Sequence, residues 1–332
     1  MPLFGRRDHS AGTRIFYATD VHGSERTWRK FLNAGRFYKA DVLVMGGDVM
    51  GKLAIPIIRE ANGRHRATIH GRVERLETDA DVTAARETIA NLGFYGVEMG
   101  EDEYAATKDD PVAVEALWQR LATARMRAWI GLAEQRLGPD GVKCYVSGGN
   151  DDLTDVMDAL PREGTEAFIA CEARAVPIDD DHVMVSLPYV NPTPWKTPRE
   201  ASEDELRVMI DDLVAPLGGS FETAIFNFHA PPIDSTLDTC AKLDASTDPP
   251  RPISVGGQQV LYGAGSQAVR EAVAGHQPLL GLHGHIHESA AITRIGRTLC
   301  INPGSTYGEG MLKGALITVE GSKVTNYQLT MG

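Results

Sequence analysis

Three of the chain's ten histidines lie within five residues, at His283, His285 and His287. They directly follow the short apolar run at residues 278–280, which favours a buried strand that ends just before them. Because side chains alternate in direction along an extended segment, the three imidazoles can point the same way, and Gly284 lets the backbone approach whatever they face. This spacing is typical of a metal site, provided that further ligands lie elsewhere in the chain. The alternative is an exposed loop that is merely rich in histidine.

Polar side chains suited to the same chemistry follow four other predicted strands. In open α/β sheets the carboxyl ends of the strands form the edge at which ligands bind. The candidates, each given with its preceding β-prone run, are Asp20 and His22 after residues 14–19, Asp48 after residues 41–45, Asn150 after residues 143–147, and His229 after residues 223–228. We therefore expect these side chains to meet the histidine cluster at one edge.

Each candidate has an ordinary explanation when it is taken singly. Aspartate and asparagine often cap or turn a chain, and a lone histidine is more often structural. Taken together, the candidates supply carboxylate oxygens, imidazole nitrogens and an amide oxygen, which suit two divalent metal ions of borderline hardness. The ordered recurrence from one strand end to the next favours the metal site.

The composition limits the class of protein. With 332 residues, of which 42% are hydrophobic and 23% charged, the chain can bury a large core in one domain or two. No run approaches the roughly 18 apolar residues of a membrane helix, and residues 1–7 lack the apolar middle of a signal peptide, so a cytoplasmic location is the default expectation. The formal net charge of -12 argues against broad binding to a nucleic-acid backbone or an anionic membrane.

The cysteines are scattered through the chain without a Cys-x-x-Cys pair. They are Cys144, Cys171, Cys240 and Cys300. We expect them to be reduced and packed singly, so neither a disulfide frame nor a zinc-thiolate site is indicated.

Residues 52–142 depart from the pattern of core strands. Residues 81–92 and 112–137 have the apolar spacing of amphipathic helices, and the acidic residues 96–111 favour a connection that faces solvent. We interpret 52–142 as a helical insertion that either flanks the sheet or caps the edge of the site. Residues 188–198 contain four prolines and are predicted to form a loop.

The ordered motifs resemble the calcineurin-like metallophosphoesterase family. Its pattern runs Asp-x-His, Gly-Asp, Gly-Asn-His-Glu/Asp, a lone His, and Gly-His-x-His. This chain shows, in the same order, Asp20-Val21-His22, Gly47-Asp48, Gly149-Asn150-Asp151-Asp152, His229 and Gly284-His285-Ile286-His287. The resemblance implies an α/β fold, namely a four-layer sandwich of two mixed β-sheets flanked by helices, formed by residues 1–332 as a single domain that carries the insertion.

The resemblance also implies a ligand set for two divalent metal ions, expected to be Mn, Fe or Zn. Asp48 would bridge the two ions. The remaining ligands divide into Asp20, His22 and His287 for one ion and Asn150, His229 and His285 for the other. The implied activity is hydrolysis of phosphomonoesters or phosphodiesters, and we favour a phosphodiesterase because no basic or peptide-binding feature is evident.

A charge count supports this expectation independently. Two divalent ions bring about +4, and two aspartates with a bridging hydroxide return about -3, so a cluster of about +1 can bind a phosphoryl group despite the acidic chain. The ions would lower the pKa of the bridging water and stabilise charge on the transferring oxygens, which makes the hydroxide the expected nucleophile.

One departure from the family pattern concerns the catalytic residues. Asp151 replaces the histidine that in the resembling enzymes helps to bind phosphate and protonate the leaving group. Beside two cations, the pKa of Asp151 should be lowered, so we expect it to be a poor general acid, and Asp152 loses the histidine it would orient. His283 is the best substitute donor, although a packing role for it is equally compatible. Asp151 can instead turn away from the metals or cap the helix that begins near Leu153.

Two further hypotheses remain open at this point. The first is a metal-binding scaffold or interaction protein that kept the fold and lost efficient catalysis, which the missing histidine supports. The second is a nucleotide-binding module without metal. The partner expected for the leading hypothesis is a small phosphoester substrate, with no membrane partner and no nucleic-acid partner, and the sequence does not indicate an oligomeric state.

Overall fold

The polypeptide alternates short buried strands with amphipathic helices in a computed structural model that describes residues 12–247 and 249–332, with the backbone alone at residues 161–163. Residues 1–7, in which the sequence predicts no signal peptide, lie outside the described residues. The helices are α1 (Glu25–Phe37), α2 (Asp79–Asn91), α3 (Glu101–Thr107), α4 (Pro111–Leu137), α5 (Thr154–Glu163), α6 (Glu203–Val214) and α7 (Gln267–His276).

The strands are mostly three to six residues long. In chain order they are β1 (Thr13–Ala18), β2 (Val42–Met45), β3 (Ala54–Arg59), β4 (His65–Ile69), β5 (Arg72–Leu76), β6 (Tyr95–Gly100), β7 (Lys143–Val146), β8 (Phe168–Ala170), β9 (Ala175–Pro177), β10 (Val183–Leu187), β11 (Ala224–Phe228), β12 (Thr239–Ala241), β13 (Leu243–Asp244), β14 (Arg251–Pro252), β15 (Ser254–Val255), β16 (Gln258–Gln259), β17 (Leu261–Gly263), β18 (Leu280–Leu282), β19 (Ala291–Ile295), β20 (Thr298–Asn302), β21 (Lys313–Glu320) and β22 (Lys323–Met331).

Two six-stranded mixed sheets form the centre of the fold. The first has the strand order β22-β21-β1-β2-β7-β8 and the second the order β19-β20-β18-β11-β10-β9. In the first sheet β1, β2 and β7 run parallel, and in the second β18 runs parallel to β11. The apolar inner faces of both sheets share one buried cluster, which includes Val44 of β2 and Ile225 of β11.

Helices cover the outer face of each sheet. Helices α1 and α4 pack beside the first sheet, where the indole rings of Trp28 and Trp129 stack with centroids 4.5 Å apart. Helix α6 packs against α7, and Leu206 of α6 and Val269 of α7 share a buried cluster with Phe226 of the second sheet. Ser202 caps α6, and its hydroxyl accepts a hydrogen bond from the Glu205 amide. The predicted four-layer α/β sandwich is confirmed.

The predicted insertion contains more strand than the sequence indicated. Helices α2 and α4 lie close to the predicted ranges, but residues 54–76 form three strands that join β6 in a sheet of order β5-β4-β3-β6. The supposed acidic connection at residues 96–111 forms most of β6 and all of α3. Ile57 and Ile69 of this small sheet share a buried core with Ile89 of α2. The description of the insertion as helical is therefore corrected to mixed α/β.

The remaining segments agree with simpler expectations. Residues 188–198 form a loop without a named helix or strand, as their prolines predict. The four cysteines are free thiols. Among the described helices, none is both long and apolar enough to cross a membrane.

Candidate metal centre

The fold brings the candidate residues together because parallel strands end at a common edge. Strands β1, β2 and β7 deliver Asp20, His22, Asp48 and Asn150, whereas β11 and β18 deliver the histidines of the second sheet. The two sheets face each other, so these strand ends meet across the top of the shared core.

The first group of ligand atoms belongs to Asp20, His22, Asp48 and His287. Nε2 of His287 lies 3.2 Å from Oδ1 of Asp20 and 3.1 Å from Nε2 of His22. Nε2 of His22 lies 3.6 Å from Oδ2 of Asp48. Four donor atoms at such separations surround a space suited to one cation.

The second group consists of Asp48, His229 and His285, so Asp48 belongs to both groups. Nε2 of His229 lies 3.4 Å from Oδ2 of Asp48, and the imidazole rings of His229 and His285 are 5.6 Å apart. Within each group the ligand atoms all lie within 4.8 Å of one another. A carboxylate shared between two groups is the arrangement expected of two adjacent ions.

Unsatisfied buried atoms test whether these residues fit a cation. In the described part of the chain, Oδ1 of Asn150 and Nε2 of His229 are buried without a hydrogen-bond partner. The opposite atoms are occupied, because Nδ2 of Asn150 donates to Oγ1 of Thr197 at 3.0 Å and Nδ1 of His229 lies 3.2 Å from the Gly46 carbonyl. Such outer hydrogen bonds orient a ligand toward a metal, and burying an unsatisfied polar atom is otherwise costly. The residues therefore fit metal ions.

The backbone on either side of Asn150 lies close to the second group of ligand atoms. A Cβ on the preceding Gly149 would lie 2.6 Å from Nε2 of His229, and the amide of the following Asp151 donates to Oδ1 of Asp48 at 2.9 Å. The loop after β7 therefore lies directly against the shared carboxylate.

Four of the candidate ligands have left-handed backbone conformations. The φ angles are +56° at Asp20, +41° at His22, +49° at Asp48 and +67° at His285. Residues other than glycine rarely adopt such angles, and they persist where surrounding contacts fix them, often at functional sites. The fold thus holds several of the proposed ligands in place at a cost in local strain.

The electrostatics of the group favour the ligand forms of several residues. Burial acts to raise the pKa of the Asp20 and Asp48 carboxyls, but neighbouring histidines outweigh it. His287 and His229 lower the pKa of Asp20, and His229 and His22 lower that of Asp48. Burial lowers the pKa of His22 to about 3 and that of His285 to about 4. Ionised carboxylates and neutral imidazoles are the forms that bind metal.

His229 and His287 behave differently. Burial acts to lower the pKa of each imidazole. At His229 the charges of Asp48 and Asp20 outweigh this effect and raise the pKa to about 9. Asp20 does the same for His287, whose pKa is raised. Positive charge is therefore favoured beside the two carboxylates.

His283 belongs to neither group of potential ligand atoms. Its side chain is fully buried, and Nδ1 lies 2.9 Å from the carbonyl of Phe228 and 3.1 Å from that of Ala230. Burial lowers the pKa of His283 to about 4. These contacts fit the packing role, and a role for His283 as proton donor stays a prediction.

Asp152 joins two of the ligand loops. Its carboxylate accepts hydrogen bonds from the amides of Val49 at 3.0 Å, Met50 at 2.7 Å and Gly149 at 2.8 Å. Burial and the charge of Asp48 raise the pKa of Asp152 to about 7. The contacts place this residue behind the ligands, where it ties the loop after β2 to the loop after β7.

Asp151 forms an ion pair with a residue that the sequence analysis did not select. One of its carboxylate oxygens contacts Nζ of Lys52, and the same oxygen lies 3.9 Å from Nδ1 of His22. Burial and the charge of Asp48 raise the pKa of Asp151 to about 6, against the opposing effect of Lys52. The sequence predicts a lowered pKa because it assumes two bound metal ions beside Asp151. The protein groups alone raise this pKa.

Tyr307 is a second residue that the sequence analysis missed. Its ring centroid lies 4.6 Å from that of His22 and 6.0 Å from that of His287. Neither Tyr307 nor Lys52 lies in a motif of the family pattern, so only the fold reveals their proximity to the ligands.

The known proteins that this chain matches are distant in sequence. No family model matches the chain. The uncharacterized protein MJ1162 of Methanocaldococcus jannaschii is 28% identical over 157 residues, a match that spans 47% of this chain and 61% of that relative's own length.

Solved structures resemble this fold along nearly the whole chain. The crystal structure of TT1561 of Thermus thermophilus gives a TM-score of 0.50 at 11% identity and covers 97% of this chain and 98% of that one. Another crystal structure gives a TM-score of 0.55 at 12% identity with the same coverage. Identities this low establish the fold alone. In its fold and in the grouping of its aspartate and histidine side chains, the chain resembles the calcineurin-like metallophosphoesterases, as its sequence motifs indicated.

Proposed function

We propose that this chain is a dinuclear metal-dependent phosphoesterase of the phosphodiesterase type. The observation that carries the proposal is the position of Asp48, which belongs to both groups of potential ligand atoms. Asp20, His22 and His287 would complete one site, and Asn150, His229 and His285 the other. The metals would be Mn, Fe or Zn, because the donors mix imidazole nitrogen with carboxylate and amide oxygen.

Bound at these sites, two divalent ions would supply an activated water nucleophile and positive charge for the phosphoryl oxygens. The protein's own contribution is positional. His229 is oriented by the Gly46 carbonyl, Asn150 by the Thr197 hydroxyl, and the two loops that carry Asp48 and Asn150 are tied together by Asp152. Ordered ligands reduce the reorganisation needed when charge develops in the transition state.

A small phosphoester is the proposed substrate. The formal net charge of -12 disfavours a long polyanion, whereas a single phosphodiester can be attracted locally by the metals. We further propose a cytoplasmic protein in which the two large sheets and residues 52–142 act as one domain. Contacts between them support this, since the Tyr95 hydroxyl accepts a hydrogen bond at 2.8 Å from the Gly51 amide, close to the ligand loop.

The test is hydrolysis of bis-p-nitrophenyl phosphate by protein supplied with Mn²⁺. We expect turnover that is abolished by Asp48→Ala and by His287→Ala, and preserved by Asp158→Ala, the matched change of an exposed aspartate on α5. Metal binding without turnover on any phosphodiester or phosphomonoester would refute the enzymatic proposal.

A second candidate function is a metal-binding scaffold with little or no catalysis. The observation that favours it is Asp151, which replaces a histidine of the family pattern and is held by Lys52. The same Mn²⁺ assay separates the two functions, because the scaffold predicts bound manganese with no hydrolysis. Absence of bound metal from the purified and Mn²⁺-supplied protein would leave the metal-free nucleotide-binding module instead.

A further inference from the structure

The ion pair between Lys52 and Asp151 lies where the family pattern has a histidine. We propose that Lys52, anchored by Asp151 and flanked by Tyr307, binds the phosphoryl group of the substrate. This inference rests on the proposed function, because it assigns a substrate contact within the same site.

Both members of the pair belong to loops that carry proposed ligands. Lys52 follows Asp48 by four residues, and Asp151 directly follows Asn150. The Asp151 amide donates to Oδ1 of Asp48 at 2.9 Å, so the backbone beneath the pair is fixed to the shared carboxylate. The Lys52 ammonium is consequently held beside the two groups of ligands.

The exposure of the side chains shows which of them a substrate can reach. The Lys52 side chain is 45% exposed, the Asp151 side chain 15% and the Asp48 side chain 3%. Of these three side chains, Lys52 is therefore the most accessible to an anion in solvent. A lysine ammonium is a compact charge with three donors, and it binds phosphate oxygens well.

The same pairing removes an objection to catalysis. An unpaired carboxylate at Asp151 would repel an anionic substrate. In the structure the Lys52 ammonium contacts that carboxylate directly, so the pair is close to neutral as a unit. Asp151 thereby acts as a positioning residue for Lys52.

Tyr307 supplies a neutral donor beside His22, which Asp151 also approaches. Its ring packs on His22, with centroids 4.6 Å apart, and the side chain is partly buried. A tyrosine phenol carries its proton at neutral pH. A phenol in this place can donate a hydrogen bond to a phosphoryl oxygen.

The decisive experiment measures binding of inorganic phosphate to the Mn²⁺-loaded protein by titration calorimetry. We expect Lys52→Met to weaken phosphate binding by about tenfold to a hundredfold, the loss typical of a charge-assisted hydrogen bond. Lys52→Arg should stay within a few-fold of the unaltered protein. The control is Lys143→Met, an exposed lysine at the opposite end of the sheet, which should not change phosphate affinity.

A double-mutant cycle tests the positioning role of Asp151. Asp151→Asn should weaken phosphate binding several-fold in the unaltered protein. When Lys52→Met is already present it should not weaken binding further, because the unpaired carboxylate that it then removes would repel the anion. Tyr307→Phe keeps the ring on His22 and should cost a few-fold in phosphate affinity.

Phosphate affinity unchanged within twofold by Lys52→Met would overturn the inference. Loss of bound manganese in Lys52→Met would also overturn it, because the side chain would then serve the metals and not the substrate. Phosphate binding does not require turnover, so a protein that binds phosphate through Lys52 but hydrolyses no phosphoester would refute the proposed function and leave this inference standing.

Discussion

Gly284 of the histidine segment lies against Thr19 and Asp20, which follow β1, so Gly284→Ala is a small and direct perturbation of the site. A Cβ at Gly284 would overlap Oγ1 of Thr19 and lie 2.6 Å from Oδ2 of Asp20. These are the atoms that hold the Asp20 carboxylate, because the Thr19 hydroxyl donates to it at 2.7 Å and the His285 amide donates at 3.1 and 3.2 Å. The added methyl group therefore acts on a proposed metal ligand directly.

The size of the effect follows from these distances. A carbon and an oxygen that are not bonded need well over 3 Å between them, so relief of the overlap requires Asp20 or residues 284–285 to move by about 1 Å. Overpacking of this kind costs about 1–3 kcal/mol of folding stability. A shift of about 1 Å in a catalytic group can cost about 10²-fold in rate. We expect both losses together.

Urea unfolding of the metal-free protein and Mn²⁺-dependent hydrolysis of bis-p-nitrophenyl phosphate measure the two losses separately. The matched control is Gly275→Ala, since Gly275 is helical and a Cβ there would meet nothing within 4 Å. That change should raise stability by up to about 1 kcal/mol and leave activity intact. A Gly284→Ala protein with unaltered stability and manganese affinity would show that the close approach of these segments is not what holds Asp20.

Three other predictions concern the stability of the fold. The buried imidazole of His182 contacts Asp179 at 2.8 Å and the Gly321 carbonyl at 2.8 Å, and although burial opposes both shifts, these contacts raise the pKa of His182 and lower that of Asp179. The stabilisation by this pair should therefore be complete between about pH 4 and 6.5, fall above that range as His182 loses its proton, and fall at lower pH as Asp179 gains one. Urea unfolding of the unaltered protein and of His182→Gln across about pH 3 to 9 measures the difference in their free energies of unfolding. A difference that does not change with pH would contradict this prediction. Trp129→Ala should cost about 3–5 kcal/mol in the same assay, because it removes the buried ring of α4 that stacks on Trp28 of α1. A loss below about 1 kcal/mol would contradict that packing. Asn302→Leu should cost about 2–5 kcal/mol, since the Asn302 amide donates to three backbone carbonyls and accepts from one amide under the histidine segment; a neutral result in thermal unfolding would show that water replaces it.

The parts of the site visible in the sequence are those fixed by strand direction. Asp20, Asp48 and Asn150 each follow a short apolar run, and parallel strands bring their carboxyl ends to one edge, so their convergence follows from local pattern alone. Helices α2 and α4 were likewise visible, because their apolar residues recur at helical spacing over three turns or more.

The small sheet in residues 52–142 was not visible for a physical reason. Strands β3 to β5 are five or six residues long, and β4 and β5 bury few of their side chains. Charged residues such as Arg66 and Arg75 occupy positions that face partly or fully to solvent, so the alternation that marks a half-buried strand is weak. Such strands form because their neighbours and α2 supply a core.

The ion pair at the site could not be read from the sequence at all. Lys52 and Asp151 lie in different loops, and only the pairing of β2 with β7 brings those loops side by side. The sequence shows that Asp151 stands where the family pattern has a histidine. The structure shows that the ammonium group of Lys52 pairs with it.

The number of manganese ions bound per chain tests the central claim most directly. Elemental analysis or equilibrium dialysis of the purified, Mn²⁺-supplied protein should give about two ions per chain, and about none for Asp48→Asn, because both groups of ligands share that carboxylate. One ion or none in the unaltered protein, or two ions retained by Asp48→Asn, would contradict a dinuclear centre bridged by Asp48.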